Sequence, residues 1–75
     1  MGKLPVVSGD AAVRVFRKFG YEVSHQTGSH MILRRFEPPH RHLSVPRHKE
    51  LSKGLLRGLI RDAGLTVDEF TKNLK

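Results

Sequence analysis

The apolar residues of this chain change period twice, and that restricts its possible folds more than any other feature. Ala12, Val15, Phe16 and Phe19 recur at helical spacing, residues 21–36 and 42–45 alternate, and Leu56, Leu59, Ile60 and Ala63 return to helical spacing. A helical period buries one stripe of a cylinder, and a period of two buries one face of a sheet. The order therefore predicts a helix, three strands and a second helix. Elements with one apolar side must cover each other, so the two helices should pack on one face of a small antiparallel sheet.

Local signals mark the ends of these elements. Ser8 is a plausible N-cap, Asp10 places negative charge in the first helical turn, and Gly20 ends the helix, with Arg14, Arg17 and Lys18 on its outer side. Tyr21-Glu22-Val23-Ser24-His25-Gln26-Thr27 reads as a strand, Gly28-Ser29 as a two-residue hairpin turn, and His30-Met31-Ile32-Leu33-Arg34-Arg35-Phe36 as the returning strand. A tight turn sets Thr27 opposite His30. It gives one face to Tyr21, Val23, His25, Ile32, Arg34 and Phe36 and the other to Met31 and Leu33. Glu37-Pro38-Pro39-His40-Arg41 is a loop, and His42-Leu43-Ser44-Val45 a short third strand stopped by Pro46, with Leu43 and Val45 pointing inward.

Ser52 or Lys53 starts the next helix, Gly64 closes it, and Lys53, Arg57 and Arg61 line a basic stripe. Thr66-Val67-Asp68-Glu69 is a capping box that opens a short last helix carrying Phe70 and Leu74. The expected fold is α+β, α-β-β-β-α with a short C-terminal helix, the layout also used by double-stranded-RNA-binding domains. Layout alone assigns no function.

Seventy-five residues, 37% of them apolar, make one domain over residues 1–75 with a thin core. The absence of cysteine removes disulfides and thiolate metal sites. No apolar run approaches membrane-spanning length, and Met1-Gly2-Lys3-Leu4-Pro5-Val6-Val7 is too short and too soon broken to be a signal sequence, so a cytoplasmic protein is expected. Fourteen Lys and Arg against seven Asp and Glu give a net charge of +7, which suits a polyanionic partner: RNA, DNA or an acidic protein.

Within that basic chain, Gly28-Ser29-His30 stands out. An imidazole can both take and give a proton near neutral pH, and a strand end holds it within reach of a ligand. RNA cleavage needs a base for the 2′-OH, an acid for the leaving 5′ oxygen and cations for charge building on phosphorus. His30 can do either of the first two jobs, and Arg34, Arg35, Lys53 and Arg57 are candidates for the third. The competing explanations are a histidine that only stabilises a turn and cations that only face water. Five histidines raise the question of metal, chiefly at His40-Arg41-His42 with His48. That set lacks the usual carboxylates or thiolates, so no metal and no cofactor is expected. Neither a Gly-rich phosphate loop, a zinc finger nor an aromatic RNA-stacking motif occurs.

An ordered series of short motifs carries a family resemblance: Gly20-Tyr21, Gly28-Ser29-His30, Val45-Pro46-Arg47-His48, Glu50-Leu51, Gly54-Leu55-Leu56-Arg57, Ala63-Gly64-Leu65-Thr66 and Asp68-Glu69-Phe70. From about Ser8 to Phe70 the chain resembles the HicA, or YcfA-like, toxins. That resemblance implies the toxin of a type II toxin–antitoxin pair: a ribosome-independent, metal-independent mRNA interferase with a double-stranded-RNA-binding-like fold. Its catalytic histidine would be His30, in a turn shaped by Gly28 and Ser29. It also implies a HicB antitoxin that covers the active surface and often carries a DNA-binding domain. A basic toxin and an acidic antitoxin suit each other electrostatically. Two departures stand out: Met31 replaces a second histidine found in many relatives, and Leu55 replaces a threonine. The second proton-transfer group is open, with His48 nearest in motif terms and Ser29, His25 or water as alternatives. A non-catalytic RNA-binding module and a basic adaptor for an acidic protein are the competing functional classes.

Overall fold

The computed structural model describes residues 4–38 and 41–74. Residues 1–3, part of the N-terminal stretch read above, and Pro39 and His40 of the predicted loop lie outside the described residues, as does Lys75. The elements follow the predicted order: α1 (Gly9–Lys18), β1 (Tyr21–Gln26), β2 (His30–Arg35), β3 (His42–Pro46), α2 (Lys53–Asp62) and α3 (Val67–Lys72). No helix among the described residues is long and apolar enough to cross a membrane.

Each helix begins where a hydroxyl satisfies a free backbone donor. Ser8 Oγ accepts from Ala11 N at 3.1 Å, and Ser52 Oγ from Leu55 N at 3.2 Å. At α3 the capping box is complete, with Glu69 N donating to Thr66 Oγ1 at 3.1 Å and Thr66 N to Glu69 Oε1 at 2.8 Å. After α1 and α2 the chain reverses through left-handed glycines, Gly20 at φ 96° and Gly64 at φ 79°.

β1, β2 and β3 form one antiparallel sheet in that order. Leu33 pairs with Leu43 and Met31 with Val45, and all four are buried on the face that the helices cover. They pack with Ala12, Val13, Val15 and Phe16 of α1, Leu56, Leu59 and Ile60 of α2, and Phe70 of α3. Phe16 is the hub, its ring centroid lying 5.4 Å from Phe70 and 6.2 Å from Tyr21. Tyr21 is buried, and its hydroxyl donates to Ala63 O at 3.3 Å, tying β1 to the end of α2. There Arg41 Nη1 also donates to Asp62 O at 2.7 Å, a cation where the helix dipole is negative.

One expectation is corrected. Tyr21 and Val23 do not share a face with His25, Ile32 and Arg34; the register shifts between Val23 and His25, where Ser24 is an extra residue in β1. Before this bulge Tyr21 and Val23 face the core with Leu33; after it His25 pairs with Ile32 on the opposite, open face. The expected two-residue hairpin turn at Gly28-Ser29 is present, but without the positive φ that the primed forms take at the first central residue. Gly28 has none. Thr27 N donates to His30 O at 2.9 Å, as in any two-residue loop, but His30 N donates to Thr27 Oγ1 at 3.0 Å, so a side chain closes the turn.

Candidate active site on the open face of the sheet

Strand alternation and cross-strand pairing decide which side chains meet on the uncovered face. His30, Ile32 and Arg34 of β2 lie there, Ile32 beside His25 of β1 and Ser44 of β3, and Arg34 beside Glu22 and His42. All are exposed except the half-buried Ile32. The uncovered face is thus a shallow platform bearing His25, His30, His42 and Arg34.

At its hairpin end His30 is held on several sides. Its backbone is bound to Thr27 through the turn, and its imidazole Nδ1 lies 3.0 Å from Ser29 Oγ. A ring nitrogen so engaged leaves the other, Nε2, for a ligand. Ser29 O accepts from Arg47 N at 2.9 Å, which extends the β2–β3 ladder past the strand end and fixes the turn against β3. Arg47 Nη1 then reaches across to Gln26 Oε1 of β1 at 3.3 Å. In the sequence Arg47 stands only within the Val45-Pro46-Arg47-His48 motif, outside the candidate cations Arg34, Arg35, Lys53 and Arg57. The signal available was Pro46, which ends β3 and leaves the next residue beside the turn.

Gly9 was missed as well. A Cβ there would run into the carbonyl oxygen of Pro46, so only glycine lets α1 approach the end of β3 this closely. Gly9 N donates to His48 O at 2.9 Å and Leu51 N to Val7 O at 2.8 Å, pinning the segment after β3 to the start of α1. By contrast, a Cβ at Gly28 would meet nothing within 4 Å.

The predicted cations are not one cluster. Arg34 shares the open face with His30, whereas Arg35, half-buried, alternates to the helix-covered face. Lys53 and Arg57 are exposed on α2, in the helical layer that packs against β3. His48 is exposed beyond the end of β3. A hollow of about 320 Å³ lined by Arg17, Gly20, Tyr21, Glu22, Phe36 and Glu37 lies at the other end of the β1–β2 hairpin and contains none of these candidates. Among the described residues no group of three or more His, Asp or Glu is placed to hold a metal ion.

Fold and site together define a small basic α+β domain with a serine-supported histidine exposed at the end of a hairpin. Residues 9–65 match the family described as HicA toxin of bacterial toxin-antitoxin, and the chain belongs to that family. It is therefore the toxin of a toxin–antitoxin pair, which implies a cognate antitoxin. The matched span runs from the first residue of α1 to just past α2 and includes the whole histidine face; the capping box of α3 lies beyond it. Comparison with curated proteins gives no match.

Proposed function

We propose that this toxin is a metal-independent endoribonuclease that cleaves mRNA and so arrests translation, with His30 as general acid or base. The observation that carries this reading is the 3.0 Å contact between Ser29 Oγ and His30 Nδ1, which orients an exposed imidazole at the end of a fixed turn. The ring's Nε2 is then the atom that exchanges a proton with the ribose 2′-OH or the leaving 5′ oxygen. Gly28 leaves open space beside the turn into which an RNA backbone fits. Arg34 lies on the same face to meet a phosphate, and Lys53 and Arg57 extend the basic surface along α2. Arg35 contributes its charge from the covered side.

The partner in this reading is a HicB-like antitoxin whose acidic surface covers the histidine face, complementing the charge of +7. The working compartment is the cytoplasm, where mRNA is found. Induced expression of the wild-type chain should stop growth and shorten cellular mRNA. His30→Ala should do neither while still binding RNA, because the basic surface is untouched. Growth arrest by His30→Ala equal to wild type would overturn the assignment. RNA retention without shortening by the wild type would favour the non-catalytic module instead.

A further inference from the structure

We infer that His25 is the second proton-transfer residue of the site, an inference that rests on the RNA-cleaving reading of His30. Tyr21 and Val23 face the core, so strict alternation along β1 would send His25 the same way, under the helices. The extra residue at Ser24 reverses this and makes His25 the partner of Ile32, on the face that carries His30 and Arg34. Ser24 and His25 are both exposed, so the bulge brings no burial for either. What it does is bring His25 to the face that carries His30, and bulges beside active sites are used to redirect a side chain in this way.

The spacing suits in-line transfer at phosphorus. His30 lies opposite Thr27, so His25 is its diagonal neighbour across the β1–β2 pair, at about 7–8 Å. A base and an acid must each come within about 3 Å of their oxygen, on opposite sides of the phosphorus, and a diagonal pair can bracket a phosphodiester laid across the two strands. The neutral imidazole takes the 2′-OH proton as O2′ bonds to phosphorus. The P–O5′ bond breaks, and the protonated imidazole gives its proton to O5′. The products are a 2′,3′-cyclic phosphate and a 5′-hydroxyl, the two histidines having exchanged protonation states with no other reactant.

The other histidines are less well placed. His42 shares the face but lies four residues along β3 from Pro46, the partner of His30, or about 13 Å away. His48 follows the end of β3, where its carbonyl anchors the start of α1. Among the described residues, the charged or titratable groups on the face are Glu22, His25, His30, Arg34 and His42, with Arg47 and His48 at the turn end.

The test is a series of cleavage assays with the full chain and its His25→Gln, His30→Gln and His48→Gln variants. Each is run across pH on a defined RNA and on the same RNA with a bridging sulfur at the scissile 5′ position. Thiolate leaves without a proton, so this substrate bypasses the general acid. His25→Gln should lower kcat by roughly 10²–10⁴-fold with little change in KM, and remove one limb of the pH profile. The sulfur substrate should restore whichever of His25→Gln and His30→Gln lacks the acid, and only that one. Wild-type kcat with both limbs intact in His25→Gln, a loss confined to KM, or the same signature at His48→Gln instead would overturn the inference. If the wild-type chain leaves RNA whole, the endoribonuclease reading itself has failed, a result distinct from an active enzyme indifferent to His25.

Discussion

Two glycines of this chain do opposite things. Gly28, in the motif with His30, has neither a left-handed backbone nor a neighbour that a methyl group would strike. Gly28→Ala should therefore leave stability within about 0.5 kcal/mol of wild type, so a rise in KM would report RNA approaching the turn backbone. Gly9 carries no motif, yet a methyl group there collides with the Pro46 carbonyl. Gly9→Ala should destabilise by about 1–3 kcal/mol, read as a lower denaturation midpoint in urea. The sequence singles out the first because it stands beside a histidine; the requirement at the second comes from a strand far along the chain and leaves no local trace. The contact of Ser29 with His30 is different, because adjacent residues carry it and the motif made both legible.

Among the elements, what is local was readable and what depends on pairing was not. The caps at Ser8 and Thr66 and the glycine ends at Gly20 and Gly64 rest on residues within a turn of one another, and each is found as expected; of the two candidate starts of α2, Ser52 is the cap and Lys53 the first helical residue. The opposition of Thr27 and His30 also holds. The face assignment of Tyr21 and Val23 failed because an extra residue in one strand is invisible in an alternating pattern; only pairing with β2 reveals Ser24 as the bulge. The Gly28-Ser29 turn is found where the sequence places it, but the way it closes was not readable, since the Thr27 hydroxyl replaces one of the backbone bonds. Thr27→Val should accordingly cost about 1 kcal/mol, speed hydrogen exchange at the His30 amide and reduce RNA cleavage by misplacing the imidazole. Unchanged exchange at that amide would show that the hydroxyl does not hold the turn.

At the scale of the molecule, charge and fold class were legible in composition and period, but the distribution of charge was not. Arg34, Arg35, Lys53 and Arg57 read as one set in sequence, and the sheet divides them between its open face and the helical layer. A strand of RNA crossing the open face meets Arg34 directly and reaches Lys53 and Arg57 only by rounding the β3 edge. RNA affinity should fall steeply with salt, and Arg34→Gln should flatten the log–log slope by about 0.7, the contribution of one phosphate contact to a single strand. A slope unchanged by Arg34→Gln would place the RNA elsewhere.

The central claim is that the exposed histidine at the hairpin end performs chemistry. The direct measurement is a time course of a defined RNA with the purified chain and its His30→Ala variant, in the presence of EDTA and without ribosomes. The wild type should cut, leaving 2′,3′-cyclic phosphate ends, and His30→Ala should be slower by roughly 10²–10⁴-fold. Equal rates in the two proteins, or cutting by the wild type that EDTA abolishes, would contradict a metal-independent site built on His30.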